Sequence, residues 1–232
     1  MIGPRGLNVW VRERLAAGGF DIATERRVER AVADQNGWRI DYSNGEHDRA
    51  DVVIFTPPAV QTAALLGPRA ADIPALADAG AALAACHSVV VRAPALPERQ
   101  AIFFKSGRLS WVADNTHKAG RDGDRHLWTL HADAEFSDAH VDTPTAELAD
   151  ELIAEFAAAT AQRAADMEIV RTHRWRYARP GRGAPDADDL CWTHTAAGLA
   201  IAGDWLAGGR VEGAWLSGRE AARHLIAAYA LG

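Results

Sequence analysis

The 232-residue sequence carries a formal net charge of -6, with 48% hydrophobic and 24% charged residues, a balance that fits a globular chain of one or two domains. It leaves no basic footprint for nucleic acid, and no apolar run approaches the ~18 residues of a membrane helix. The opening residues, MIGPRGLNVW, lack a secretory apolar core, and Cys86 and Cys191 read as reduced core thiols of a cytoplasmic protein, a disulfide between them staying open.

Gly3 to Gly6 reads as a turn, and Leu7 to Ala17 as a helix with Leu7, Trp10, Val11 and Leu15 on one face, stopped by Gly18-Gly19. Phe20 to Phe55 reads as strands. Asp21 to Arg30 alternates imperfectly around Ile22 and Val28. Asn36-Gly37 is a hairpin signal, Trp38, Ile40 and Tyr42 alternate after it, and Asn44-Gly45 is a second turn. Asp51 to Thr56 is an apolar strand closed by Pro57-Pro58. Ala59 to Leu66 and Ile73 to Cys86 are alanine-rich and predicted helical, separated by Gly67-Pro68.

His87 to Ala93, Ala101 to Lys105, Leu109 to Asn115 and Leu127 to His131 are predicted strands of an antiparallel sheet, with a tight turn at Ser106-Gly107. Phe136 to Val141 and Thr145 to Ala165 are predicted helical, and Met167 to Ala178 returns as a strand. On that strand Trp175 and Tyr177 share one face, and Arg174 and Arg176 the other. Core packing is the ordinary role for such aromatics, and stacking on a planar ligand the alternative. The arginines read as solvated or ion-paired. His117, His131 and His173 have no metal-ligand spacing, so no metal is assigned. No nucleophile elbow, Walker loop or cysteine pair is present.

Gly198 to Ala222, GLAIAGDWLAGGRVEGAWLSGREAA, has the densest pattern. Leu199 to Ala202 suits a buried strand, Gly203 ends it, Gly208-Gly209 loosens a loop, and a helix begins near Val211. A glycine after a strand lets a ligand approach the backbone, Asp204 can accept from ligand hydroxyls, and the helix start offers unpaired N–H groups. A buried strand on a Gly/Ala-rich helix explains the same residues equally well.

GDWLAGGRVEGAWLSGREAA resembles the C-terminal flavin motif of the renalase-like branch of the flavin-containing amine oxidase superfamily. LSWVADNTHKAGR, Leu109 to Arg121, and HRWRYARP, His173 to Pro180, resemble segments lining the family's substrate chamber. The resemblance implies an α/β (α+β) fold. A partial FAD-binding domain with a β-meander would comprise residues 1–66 and 181–232, and an antiparallel-sheet substrate domain residues 67–180. It implies FAD as cofactor. Val28 would lie near the adenine, Gly203 and Asp204 at the ribityl and pyrophosphate, and Val211, Glu212, Gly213 and Ala214 beneath the ring, with Arg210 also a cofactor-binding residue. Asn115, Trp175 and Tyr177 would line the substrate chamber. A small amine or dihydronicotinamide-type substrate would give up a hydride to the flavin, and no residue is assigned as catalytic.

No strand followed by G-x-G-x-x-G occurs in the sequence; Gly3-Pro4-Arg5-Gly6 does not fit the spacing, and no acidic residue follows about 20 positions on. The resemblance therefore implies that an N-terminal nucleotide-gripping unit of about a hundred residues lies outside this sequence. The strands at Asp51–Thr56 and Leu199–Ala202 would then belong to a parallel sheet lacking its central strands, with exposed edges. A separate polypeptide carrying that half, a homodimer, and a truncated sequence are the expectations that follow. A flavin-free binding or accessory subunit is the alternative function.

Overall fold

The computed structural model describes residues 7–77, 83–96, 98–116, 126–180 and 189–229. His117, and with it the rest of the Leu109–Arg121 patch beyond Thr116, lies outside them. The chain divides into two compact units. One runs up to Ile22 and from Ala84 to Ala178, the other from Ala23 to Leu83 and from Arg179 onward. No helix among the described residues is long and apolar enough to cross a membrane.

In the second of these units, β1 (Val28–Asp34), β2 (Gly37–Tyr42) and β3 (His47–Ala50) form an antiparallel meander. Asp34 pairs with Gly37 across a two-residue turn, where the Asp34 carboxylate accepts the Asn36 N–H at 2.7 Å. Gly37 has φ +100°, and a Cβ there would lie 2.6 Å from the Ala50 carbonyl oxygen, so only glycine fits. The segment before Val28 is not a strand: Glu25 takes a left-handed φ of +62°, which breaks extended backbone.

The unit's other sheet has the order β10 (Cys191–His194), β11 (Leu199–Ala202), β4 (Val53–Phe55). β4 and β11 run parallel, Leu199 beside Val53 and Ile201 beside Phe55, while β10 is antiparallel. All four residues of β11 are buried. Leu199 and Ile201 join Trp38, Phe55 and the helix α2 (Ala59–Leu66) in one core cluster. Ala200 and Ala202 face Ala221 and Leu225 of the helix α6 (Val211–Tyr229), their small side chains admitting the helix closely. A 3₁₀ turn over Gly67–Asp72 and the short helix α3 (Pro74–Ala77) follow α2. β4 is shorter than the predicted Asp51–Thr56 strand, it lies at the sheet edge, and Ile54 stays 40% exposed.

The other unit holds a five-stranded sheet of order β6 (Ala101–Phe103), β7 (Leu109–Asp114), β8 (His126–Ala132), β5 (Leu83–Ala93), β9 (Glu168–Pro180). The ladders β6–β7, β7–β8 and β5–β8 are antiparallel. Leu83 to Cys86, predicted helical, is instead the start of β5. An alanine run suits either period, and ladder formation with near-complete burial decides it. The helix α1 (Leu7–Ala17) belongs to this unit and has the predicted span, with Val11 exposed. Asp133 caps α4 (Ala134–Ala139), its carboxylate accepting the Glu135 N–H. α5 (Thr145–Thr160) places Leu148, Leu152, Ile153 and Phe156 against Val89, Val91, Val112, Trp128 and Leu130. Each such side chain contributes roughly 1.5–3 kcal/mol of burial. The sheet's opposite face carries a row Phe103–Trp111–His131, with ring centroids 6.5 and 5.1 Å apart.

His87 is fully buried beneath the α4–α5 connection. Its Nε2–H donates to the His140 carbonyl at 3.1 Å, which leaves Nδ1 to accept the Thr145 hydroxyl at 2.7 Å. Burial pushes its pKa down. The His140 carbonyl opposes that shift, and Arg174 and the His140 ring reinforce it. Arg174 also donates to the Val141 carbonyl at 2.7 Å, so a proton on His87 would place a second cation in the same pocket. The folded pKa lies below the unfolded value near ~6.5, so this stabilisation is complete above that value and declines as pH falls toward the folded one. Urea midpoints between pH 8 and 5 should show the wild type losing up to about 1.4 kcal/mol per pH unit more than His87→Gln below about pH 6.5. Parallel pH curves for the two proteins would contradict this account.

Candidate functional site

The carboxyl ends of the parallel strands β4 and β11 carry the Gly203–Asp204 turn, the side of such a sheet where ligands ordinarily bind. Gly203 is extended, and its N–H donates to the Ser217 hydroxyl at 2.9 Å. Ser217 is fully buried on α6 and ties the turn to the helix. Asp204 opens one 3₁₀ turn through Leu206, and its carbonyl accepts the N–H groups of Ala207 at 2.9 Å and Gly209 at 2.7 Å. Its half-buried carboxylate has no partner among the described residues. The Pro57 carbonyl just after β4 accepts from the Thr62 hydroxyl at 2.9 Å and from Trp205 Nε1–H at 3.3 Å, which fixes the neighbouring strand end.

Gly208 and Gly209 both have positive φ, and the chain turns through them into α6. The Ala214 N–H donates to the Arg210 carbonyl at 2.9 Å, while the amides of the helix's first turn before it have no partner within the helix. A Cβ on Gly213 would collide with the Ala207 carbonyl oxygen, so the helix start and the loop before it touch backbone to backbone. Arg210, Glu212 and Ala214 are exposed, as are the apolar Val211 at 76% and Trp215 at 63%. Glu212 in the first turn favours the helix through its dipole. Partly aligned donors, an unsatisfied carboxylate and exposed apolar side chains thus meet on one open surface. Its chemistry suits a ligand with hydroxyls and an electron-rich edge.

Val28 lies on the meander of the same unit, half-buried at the start of β1. Asn115, Trp175 and Tyr177 belong to the five-stranded unit. Asn115 is buried, and its side-chain Nδ2 donates to the Thr129 hydroxyl at 2.5 Å across the β7–β8 ladder. Trp175 is exposed and edge-on to His173 at 4.3 Å, and Tyr177 is half-buried. Arg176 pairs with Asp142 at 2.8 Å. Beside Asn115 lies a pair that sequence reasoning missed: the buried Asp114 carboxylate is hydrogen-bonded to Nδ1 of His126. Burial raises the Asp114 pKa, but His126 and the Thr116 N–H more than offset it and hold the carboxyl below its usual range. Residues 114 and 126 meet only because β7 and β8 pair, and no local signal announces that. No group of three metal-binding side chains occurs among the described residues.

The family model "flavin containing amine oxidoreductase" matches residues 4–226. Among solved structures, an oxidoreductase from Methanosarcina mazei is similar at TM-score 0.70 and 18% identity, with 94% of this chain covering 54% of that one. A putative protoporphyrinogen oxidase from Exiguobacterium sp. 255-15 matches at 0.70 and 15% identity, with 95% of this chain covering 51% of it. Putrescine oxidase bound to putrescine matches at 0.65 and 18% identity, with 96% of this chain covering 53% of it. The chain therefore spans about half the length of each of these relatives, and at such identities the likeness is one of fold.

Proposed function

This chain belongs to the flavin-containing amine oxidoreductase family, and from that premise we propose that it supplies the flavin-ring and substrate-side surfaces of an FAD-dependent oxidoreductase of the renalase-like branch. By the family resemblance its cofactor is FAD. The observation that carries the proposal is the Gly203–Asp204 turn, delivered by a parallel strand pair and tied by Ser217 to the helix whose N-terminus opens beside it.

In this reading the unit from Ala23 to Leu83 and from Arg179 onward forms the partial FAD-binding domain, and the unit up to Ile22 and from Ala84 to Ala178 the substrate domain. The Asp204 carboxylate accepts from ribityl hydroxyls. The first-turn amides of α6, at Val211, Glu212 and Gly213, with Ala214 after them, favour negative charge at the ring's pyrimidine edge. Arg210 borders the same edge, and Val28 packs near the adenine. Asn115, Trp175 and Tyr177 line the substrate chamber, where Thr129 orients the Asn115 amide. The substrate is a small amine or dihydronicotinamide-type molecule that gives up a hydride; FAD, when bound, supplies the acceptor and O₂ the reoxidant. The ADP end is held by a glycine-rich nucleotide-binding segment, a motif that these 232 residues do not contain. The buried Cys86 and Cys191, read as core thiols, fit a cytoplasmic setting.

Titration with FMN and FAD, followed by flavin absorbance and fluorescence, tests the cradle. FMN carries the ring and ribityl chain without the ADP end. The purified chain should bind both with affinities within about tenfold, and Asp204→Ala should weaken both by about tenfold or more. A chain that leaves both spectra unchanged would favour the flavin-free accessory subunit instead.

A further inference from the structure

A cavity of about 620 Å³ lies in the same unit as the Gly203 turn but at the amino ends of β4 and β11. Strands of this length separate the two places by roughly 10–13 Å. The cavity is lined by the β1–β2 turn, Asp51, Arg69, Ala197 and Tyr229.

Its walls are fixed. Trp38 Nε1–H donates to the Ala197 carbonyl at 2.7 Å, and the Tyr229 hydroxyl donates to the Thr195 carbonyl at 2.9 Å. Gly198, with φ +61°, lies against the Asp51 carbonyl where a Cβ would collide. The charges are unevenly satisfied. Asp34 is occupied by Arg49, at 2.9 and 3.1 Å, and by the Asn36 N–H. The Arg69 guanidinium lies over the Trp38 ring at 5.7 Å and has no carboxylate partner among the described residues. The Asp51 carboxylate likewise accepts no hydrogen bond there.

A planar cation stacked on an indole keeps its N–H fork for a carboxylate. A simple anion in this cavity would meet Asp51, and a simple cation would meet Arg69. We propose that this cavity binds a small zwitterion, an amino acid or ω-amino acid, with its carboxylate on Arg69 and its ammonium on Asp51. The site is separate from the flavin surface and does not depend on it.

The test is protein-observed NMR on the full chain without flavin. The probes are glycine and γ-aminobutyrate, which differ in charge separation, with acetate and methylamine as single-charge halves. At least one zwitterion should move the Asn36, Ala197 and Gly198 amide signals, with a Kd of about 1 mM or tighter, and each half should bind at least about tenfold more weakly. Arg69→Gln and Asp51→Asn should each weaken the zwitterion by about tenfold, and Arg69→Lys by less. Both positions are exposed, so the variants should keep the parent amide spectrum elsewhere. No saturable shift up to ~50 mM, acetate binding as tightly as the zwitterion, or full affinity in Arg69→Gln would overturn the proposal.

Discussion

Trp38→Ala is expected to destabilise the chain by about 3–5 kcal/mol, the range for deleting a large buried aromatic. Trp38 is fully buried, packs edge-on to Phe55 at 6.0 Å, and holds the Ala197 carbonyl with its indole N–H. It therefore joins the meander to the turn before β11 in both packing and hydrogen bonding. Trp38→Phe separates the two contributions, because it keeps a ring but leaves the carbonyl without its donor, a loss of about 1–3 kcal/mol where the group stays buried. Trp128 supplies the comparison: it is equally buried, against Phe156 at 5.3 Å, yet its Nε1 has no hydrogen-bond partner among the described residues. Trp128→Phe removes a donor already buried without compensation, so it should cost less than Trp38→Phe. Urea unfolding followed by circular dichroism measures both, and equal losses would contradict the assigned role of the Trp38 N–H.

Gly213→Ala should destabilise the chain by about 1–3 kcal/mol, as overpacking does when the obstructing atoms are backbone. The added methyl would strike the Ala207 carbonyl oxygen, so the loop or the helix start must move. Helix propensity alone predicts the opposite sign, a gain of about 0.5–1 kcal/mol. Gly218, also within α6, has open space where its Cβ would go. Gly218→Ala should show that gain. Opposite shifts in the urea midpoint are the expected result. A stabilising Gly213→Ala would mean that the contact between α6 and the preceding loop yields easily, and the shape of the candidate cradle would then be soft.

The elements closed by local chemistry were legible in the sequence. Gly18-Gly19 marks the end of α1, Gly203 the end of β11, and Gly208-Gly209 the entry to α6. Residues whose state is decided from a distance were not. Leu83 to Cys86 carries no period that separates helix from strand, and the strands flanking β5, β8 and β9, lie far along the chain. Ile22 alternates with Val28 on paper, but the left-handed Glu25 interrupts the backbone between them. At the candidate site, glycines and the acidic Asp204 are visible as types. What fixes them is not: Ser217 reaches Gly203 only because α6 packs on β11, and Thr62 reaches Pro57 through the first turn of α2. The Asp114–His126 and Asn115–Thr129 pairs depend on the β7–β8 register, which one-dimensional spacing does not encode.

The parallel ladder between β4 and β11 joins Val53 to Leu199, and the larger part of the other unit, from Ala84 to Ala178, lies between them in the chain. During synthesis β4 therefore emerges long before its partner exists. Closing so long a span costs chain entropy before any contact repays it. The inserted unit, whose ladders β6–β7 and β7–β8 are local, can fold while the ribosome is still working and so shorten the effective span. Until then the meander and β4 wait with apolar edges open. Folding should thus run outward from the Ala84–Ala178 stretch, with β11 completing a core that the meander and β4 began.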